Sequence, residues 1–185
     1  IINLPEDNSD GVVDVKRFET GQEVMLITKK GQAIRFNSDE VRDMGRSSYG
    51  VTGIRLDTRD EVVSIEIISD KNNSILTITE KGFGKRSTIE DYRLTGRSGK
   101  GVINLKINDK TGDVVTSITV DNKDAFVVST EKGIVIRTNV KNIRVMGRAT
   151  SGVRIIKLNH GDRVSDMARL DSEEDVIGPE TLLNY

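Results

Sequence analysis

The chain has 185 residues and is rich in charge, at 31%, yet 28 lysines and arginines against 29 aspartates and glutamates leave a formal net charge of -1. This balance excludes a uniformly basic nucleic-acid binder, although a chain with segregated charges remains possible. Cysteine is absent and His160 is the only histidine, which excludes disulfides and thiolate metal sites and removes most candidates for zinc, Ser-His or Cys-His chemistry.

The predicted elements are short β-strands, and the first of them stands at the start of the chain. IINL at 1–4 matches VINL at 102–105, which predicts a stub strand from an incomplete repeat. A further first strand is predicted at 163–170, so residues 1–170 form one arc. Residues 171–185 are acidic, depart from the pattern and are predicted to be a C-terminal tail. Between the stubs lie three full repeats, at about 11–56, 62–107 and 113–158.

A spacing of 51 residues defines these repeats, and two independent residue pairs keep it. The Lys-Gly pairs are Lys30-Gly31, Lys81-Gly82 and Lys132-Gly133. The Gly-Arg pairs are Gly45-Arg46, Gly96-Arg97 and Gly147-Arg148. The same spacing relates Arg35, Arg86 and Arg137; Arg42, Arg93 and Arg144; Gly50, Gly101 and Gly152; and Val51, Val102 and Val153. Chance does not produce such a register, which indicates one structural environment visited three times.

Each repeat contains four runs of Val, Ile and Thr broken by Gly, Asn and Asp, a pattern typical of strands. The runs also agree in which positions are apolar, as at Val24, Ile75 and Phe126. The first runs are 62–68, 113–120 and 163–170; the second are 23–28, 74–79 and 125–130; the third are GQAIRF, GFGKRS and GIVIRT; the fourth are 50–56, 101–107 and 152–158.

Four strands in about 50 residues are typical of a propeller blade, so the predicted fold is all-β and propeller-like. One such sheet cannot cover both of its faces and must stack on its neighbours. Three repeats with a stub at each end predict an arc cut from a larger ring, or a ring that lends strands between blades.

Five basic columns recur at the repeat spacing and contain 15 of the 28 basic residues, the fifth being Arg55, Lys106 and Lys157. Because equivalent positions on stacked blades occupy equivalent places, each column predicts a line of positive charge. Cations spaced in this way, beside backbone amides freed by glycine, suit a polyanion with repeating charges, and DNA is the obvious one.

Structural roles compete with this interpretation. A Lys-Gly pair between strands is commonly a hairpin turn in which glycine adopts a positive φ. An arginine within a strand, such as Arg35, pairs in many proteins with a neighbouring carboxylate. The loops GRSSYGV, GRSGKGV and GRATSGV favour phosphate contact more strongly, because glycine at both ends gives backbone amides room to approach a ligand.

GRSGKGV at 96–102 does not fit a nucleotide-binding P-loop, which needs G-x-x-x-x-G-K before Ser or Thr between a strand and a helix. Here Gly101 follows Lys100 and a strand comes next. His160 is a turn residue without clustered partners, so no metal site is predicted, and no cofactor is expected.

These repeated motifs resemble the C-terminal domain of DNA gyrase A and of its topoisomerase IV paralogue, over residues 1 to about 170. The resemblance implies a β-pinwheel, a propeller-like ring in which strands cross between blades. It further implies that a basic rim wraps DNA, and that catalysis belongs to other domains. Tyr49, Tyr92 and Tyr185 match no motif for DNA cleavage.

The wrapping motif of gyrase, Q-K/R-R-G-G-K/R-G, is matched in part by TGRSGKG at 95–101. Arg97, Gly99, Lys100 and Gly101 agree with it, whereas Thr95, Gly96 and Ser98 depart from it, which leaves gyrase and topoisomerase IV both open. The residues predicted to contact DNA are Lys30, Arg35, Arg42, Arg46, Lys81, Arg86, Arg93, Arg97, Lys100, Lys132, Arg137, Arg144 and Arg148.

The predicted partner is therefore double-stranded DNA, bound without sequence preference and weakened by salt. The scarcity of aromatic residues, 4% of the chain, disfavours single-stranded nucleic acid. The parent complex implied by the resemblance is the remainder of gyrase A with gyrase B, an ATP-dependent topoisomerase. No apolar run is long enough to span a bilayer. The absence of cysteine fits a reducing cytoplasm, which is the expected location. The alternative is a protein-binding propeller whose basic columns form structural salt bridges.

Overall fold

The computed structural model describes Leu4, residues 10–45 and residues 48–170. Most of the predicted stub at 1–4, the predicted tail at 171–185 and the predicted DNA-binding residue Arg46 lie outside the described residues. The described chain is built from β-strands and single 3-10 turns and contains no α-helix, which confirms the predicted all-β class.

Eleven strands form three antiparallel sheets. The strands are β1 (Glu23–Thr28), β2 (Gln32–Asn37), β3 (Val62–Ile68), β4 (Ser74–Thr79), β5 (Phe83–Thr88), β6 (Val102–Ile103), β7 (Val114–Val120), β8 (Ala125–Thr130), β9 (Val135–Asn139), β10 (Val153–Arg154) and β11 (Val164–Leu170). A 3-10 turn follows each hairpin, at Ser38–Glu40, Ile89–Asp91 and Val140–Asn142.

The sheets are assembled by strand exchange between repeats. The first sheet has the order β3-β1-β2-β6, the second β10-β5-β4-β7 and the third β11-β8-β9. In the first two sheets, a central hairpin from one repeat thus receives the first and fourth strands of the following repeat. This arrangement agrees with the expected pinwheel, and it means that no described repeat forms a sheet from its own residues alone.

The fourth strands are much shorter than predicted. The ladders that were expected over 101–107 and 152–158 contain only β6 and β10, of two residues each, and 50–56 contains no strand but one isolated bridge at Ile54. Beyond β6 the N–H groups of Asn104 and Leu105 both donate to the carbonyl of Gly31, at 2.8 and 3.1 Å. Because two successive N–H groups share one acceptor, regular pairing ends there.

The Lys-Gly pairs mark the hairpin turns across which these fourth segments pass. Gly31 and Gly82 have φ of 80° and 77°, as the turn interpretation expects. A Cβ on Gly31 would lie 2.2 Å from the carbonyl oxygen of Leu105, and one on Gly82 would lie 2.6 Å from that of Ile156. Glycine is therefore required both by the turn and by the backbone that crosses it.

The apolar columns of the repeat form the cores between sheets. The predicted core positions Val24, Ile75 and Phe126 are all buried. One cluster joins the first and second sheets and another joins the second and third, because β3 packs against β7 and β7 against β11. Tyr92, beneath the second 3-10 turn, is fully buried and donates to Asn104 Oδ1 at 2.5 Å.

Candidate nucleic-acid interface

The lysines of the Lys-Gly pairs reach across to the turns that precede β7 and β11. Lys30 Nζ lies 2.8 Å from the Asp113 carboxylate, Lys132 Nζ donates to the carbonyl of His160 at 2.9 Å, and Lys81 Nζ donates to the carbonyl of Asp109. All three therefore have a partner inside the protein. Their predicted contact with DNA remains a prediction.

The strand arginines are structural wherever a neighbouring sheet covers them. Arg35 is 6% exposed, forms an ion pair with Glu23 at 2.5 Å and donates to the carbonyls of Ile89 and Tyr92 at 3.0 and 2.8 Å. Arg86 is 8% exposed and donates to Asn122 Oδ1 at 2.9 Å. Burial lowers the pKa of Arg86, and nearby Asp121 opposes that effect. Arg35 and Arg86 are thus largely buried, whereas Arg137 of the third sheet is exposed, and contact of all three with DNA remains a prediction.

The two Gly-Arg arginines that the structure describes, Arg97 and Arg148, connect successive loops. We call residues 45–50, 96–101 and 147–152 the first, second and third loops. Arg97 donates through Nη1 to the carbonyl of Thr52 at 3.0 Å and through Nε to that of Glu40 at 3.2 Å. Arg148 donates to the carbonyl of Ile103 at 3.0 Å. Since Thr52 and Ile103 are equivalent positions, each arginine joins its own loop to the segment that follows the preceding one.

A different set of cations is exposed and unpaired. The arginines that precede the three loops are exposed, and none forms a hydrogen bond or ion pair with another described residue: Arg42, Arg93 and Arg144. The cations that follow the loops are also exposed, and within the described ranges their side chains form no hydrogen bond or ion pair: Arg55, Lys106 and Lys157. The column of Arg55, Lys106 and Lys157 was included in the charge pattern of the sequence but was not predicted to contact DNA. Its 51-residue spacing was the signal that could have led to that prediction.

Two hollows on the surface are lined partly by basic side chains. The second loop borders a hollow of about 160 Å³ that is also lined by Arg93 and Lys100. Lys100 Nζ additionally lies 2.8 Å from Asp57. A larger hollow, of about 400 Å³, is lined by the basic residues Lys81, Arg154, Lys157 and Arg163 and by the acidic residue Asp162. Concave basic surfaces of this kind suit an anion.

The second loop shows why the wrapping motif places glycine where this chain has serine. Ser98 adopts φ of 67°, a left-handed conformation that glycine adopts without strain. Its hydroxyl donates to the carbonyl of Thr52 at 2.8 Å. Gly101 closes the loop at φ 76°, and a Cβ there would lie 2.3 Å from the carbonyl oxygen of Ala33. The departure at Ser98 is thus accommodated by a local hydrogen bond.

The second and third loops lie on chemically different residues. Beneath the second loop is Ile34, whose Cδ1 would be 3.4 Å from a Cβ on Gly99. The equivalent residue beneath the third loop is Lys85, which is 1% exposed. Its Nζ donates to Ser87 Oγ at 2.6 Å and to the carbonyl of Gly147 at 3.2 Å. Sequence reasoning missed this residue, although a lysine between Ile34 and Ile136 in one column signals it.

Within the described part of the chain, no group of three or more His, Asp or Glu side chains is placed to hold a metal ion. Among the described residues there is also no helix with the length and apolar character needed to cross a membrane.

Comparison with known proteins gives a consistent family assignment. A family model described as "DNA gyrase C-terminal domain, beta-propeller" matches three successive segments, residues 22–69, 73–121 and 124–171. The DNA gyrase A protein of Chlamydia pneumoniae is 43% identical over 173 residues, which cover 92% of this chain and 21% of that protein. The same protein from Campylobacter fetus is 39% identical over 183 residues, 96% of this chain and 20% of that one. The chain therefore spans about a fifth of the length of the curated relatives it matches.

Solved structures show the same architecture. The C-terminal domain of DNA topoisomerase IV superposes with a TM-score of 0.86 at 28% identity, covering 93% of this chain and 53% of that one. A DNA gyrase A C-terminal domain superposes with a TM-score of 0.77 at 26% identity, covering 82% of this chain and 51% of that one. Both paralogues are thus similar in fold.

Proposed function

The chain belongs to the family of DNA gyrase C-terminal domains, and from this premise we propose that it binds duplex DNA through phosphate contacts and bends it. The observation that carries the proposal is the pair of exposed, unpaired basic columns that flank the three glycine loops. Each repeat supplies one cation before its loop and one after it, from Arg42 and Arg55 onward. Duplex DNA is a polyanion whose phosphates also recur at a regular interval.

The cations fall into two groups, those with internal partners and those without, and this difference supports separate roles for the two groups. The cations with internal partners, such as Arg35 and Arg97, hold the sheets and loops in register. Those without described partners are available to phosphates, and we assign them the main DNA contacts: Arg42, Arg93, Arg144, Arg55, Lys106 and Lys157. Lys100 remains a further candidate beside Arg93, because its ion pair with Asp57 is exposed and therefore weak.

Bending requires that several repeats act together. Smoothly bending 20 to 30 base pairs by 40 to 90° costs on the order of 1 to 6 kcal/mol. One exposed arginine does not offset that energy, whereas six cations spaced along an arc of stacked sheets release counterions from successive phosphates. Wrapping by this arc is thus proposed to be a cumulative property of the repeats.

The role in the parent protein follows the same inference. The chain supplies DNA contacts, and the remainder of gyrase A together with gyrase B supplies strand passage in an ATP-dependent reaction. The chain itself is not an enzyme under this proposal. Its place of action is the cytoplasm, where a type IIA topoisomerase meets chromosomal DNA.

The test compares matched charge changes. We expect R42A/R93A/R144A to weaken binding to a duplex of about 40 base pairs and to reduce the salt slope by roughly 2 to 3, because each lost phosphate contact removes about 0.9 from it. The control R17A/K71A/K123A removes the same charge from positions outside the loops and is expected to leave the slope nearly unchanged. End-to-end DNA distance, measured by energy transfer between terminal dyes, reports bending in both variants.

Equal losses in the two triple variants would show that only net charge matters and would refute the assignment of these arginines. Absence of duplex binding at low salt in the unmodified chain would refute the function itself. In that case the protein-binding alternative would stand, since ion pairs such as Lys30 with Asp113 already give some columns a structural role.

A further inference from the structure

A buried lysine holds the backbone from which the third loop begins. Lys85 on β5 donates to the carbonyl of Gly147, and its other partner, Ser87, donates to the carbonyl of Met146 at 2.7 Å. These two carbonyls immediately precede Arg148. The Gly147 carbonyl also accepts a hydrogen bond from Thr150 Oγ1 at 2.9 Å, within the loop. The conformation of the third loop is therefore tied to the donors beneath it.

The charged side chains around Lys85 do not form an ion pair with its ammonium group. Asp91 faces it from the 3-10 turn after β5, and Arg148 faces it from the third loop. Tyr92 lies nearby as a neutral phenol, because burial raises its pKa. No described carboxylate lies within ion-pair distance of the Lys85 ammonium. Burial is the main cause that lowers the pKa of Lys85 to about 7; Arg148 lowers it further and Asp91 raises it.

We propose that Lys85 is a positioning residue that couples DNA binding at the third loop to the uptake of a proton. This inference rests on the proposed DNA-binding function. A phosphate drawn to the third loop brings negative charge toward Lys85 and so favours the ammonium form. The ammonium has three donors and no acceptor, which suits an environment of two oxygen acceptors, whereas the neutral amine binds them less strongly.

The direction of the pH dependence follows from linkage. If DNA raises the pKa of Lys85, the bound chain carries more protons than the free chain between the two pKa values. The affinity for DNA is then highest at low pH and falls as pH rises through about 7. A rise of one pKa unit corresponds to a tenfold change in affinity, so we expect a fall of about tenfold between pH 6 and pH 9.

The experiment measures the affinity of the whole chain for one 40-base-pair duplex at fixed ionic strength from pH 6 to pH 9. The unmodified chain is expected to lose affinity about tenfold, whereas K85M, which cannot titrate, and K85R, which stays protonated, are expected to change less than twofold. H160Q removes the single imidazole and is expected to keep the profile of the unmodified chain. Identical profiles for the unmodified chain and K85R would overturn the proposal.

A second measurement applies even where K85M fails to fold. Nuclear magnetic resonance of the lysine side chains gives the titration midpoint of Lys85 in the unmodified chain, expected near 7 without DNA and about one unit higher with saturating DNA. A midpoint that DNA leaves unchanged would overturn the coupling. Absence of DNA binding at every pH would overturn this proposal and the proposed function together, whereas binding with an unshifted midpoint would overturn only the coupling.

Discussion

The second and third loops have equivalent places in the repeat but are stabilised differently. The second loop packs on Ile34, uses Ser98 in a left-handed conformation and lacks a hydroxyl at Gly99. The third loop lies on Lys85 and closes with the Thr150 hydroxyl on the Gly147 carbonyl. Both loops have a final glycine at positive φ. Both also have an arginine that donates a hydrogen bond to the segment following the preceding loop. The two loops thus share the final glycine and the bonded arginine, whereas the residue beneath the loop differs in its chemistry.

The largest expected effect tests what the two loops share. G101A places a Cβ 2.3 Å from the carbonyl oxygen of Ala33, and G152A places one 2.4 Å from that of Gly84, each at positive φ. We expect each variant to lower the free energy of unfolding by about 4 kcal/mol, measured by urea denaturation. G133A, at φ 82° with no atom within 4 Å, is the control and is expected to cost about 1 kcal/mol. A cost for G152A as small as that of the control would show that the loops differ here as well.

The next largest effect is expected from substitutions that exchange the residues beneath the second and third loops. I34K introduces an ammonium at a position that is 2% exposed and is expected to destabilise the chain by about 3 kcal/mol at pH 7. The reverse change, K85I, is expected to alter the pH dependence instead. Because the folded pKa of Lys85 is lowered to about 7 from 10.5, the unfolded chain binds the extra proton between these values. Stability of the unmodified chain therefore rises with pH across that window.

Thermal unfolding of the unmodified chain and of K85I, from pH 6 to pH 10, tests the second exchange. The gain in melting temperature between pH 7 and pH 10 is expected to be larger for the unmodified chain than for K85I. Parallel curves would mean that Lys85 titrates in the folded state as it does in solvent.

A smaller effect separates the two loop arginines. R97A removes hydrogen bonds to the carbonyls of Thr52 and Glu40, whereas R148A removes one bond, to the carbonyl of Ile103. We expect losses of about 2 and about 1 kcal/mol in the free energy of unfolding. R93A, whose side chain has no described partner, is the control and is expected to leave stability within about 0.5 kcal/mol. A greater loss for R148A than for R97A would reverse this part of the comparison.

The smallest effect concerns Ser98. S98G relieves a left-handed serine, worth about 1 kcal/mol, but removes its hydrogen bond to Thr52, so we expect stability to change by less than about 0.5 kcal/mol. The matched change in the third loop, A149G, has no such strain to relieve and is expected to destabilise slightly. Chemical denaturation of both variants decides whether the backbone conformation of the second loop is strained.

Local patterns predicted the hairpins well and non-local contacts poorly. The strands Glu23–Thr28, Ser74–Thr79 and Ala125–Thr130 occur at the predicted bounds, because runs rich in Val, Ile and Thr before a Lys-Gly turn specify a hairpin locally. The fourth strands were overestimated, because the pairing of β6 and of β10 ends where two successive N–H groups share one distant carbonyl, that of Gly31 or of Gly82.

The candidate site shows the same limit. Arg35 and Arg42 recur with the same spacing, yet one is buried against Glu23 and the other is exposed. The periodicity of the sequence predicts that a charged residue recurs, but it does not predict on which side of the sheet the side chain lies. The carboxylates, carbonyls and covering sheet that decide this come largely from distant parts of the chain. Lys85 is a different case. The sequence shows a lysine in an otherwise apolar column, but it does not show that Ser87 and Gly147 accept hydrogen bonds from this lysine.

Strand exchange between repeats also affects folding during synthesis, because a strand is made well before the strand with which it pairs. Ala33 on β2 pairs with Val102, so the β2 edge of the first hairpin lacks its partner strand β6 until a further 69 residues have been made. At 5 to 20 residues per second, that interval lasts roughly 3 to 14 seconds. During this time the edge of β2 presents unpaired backbone groups, and a ribosome that pauses between the first and second loops prolongs its exposure to other nascent chains.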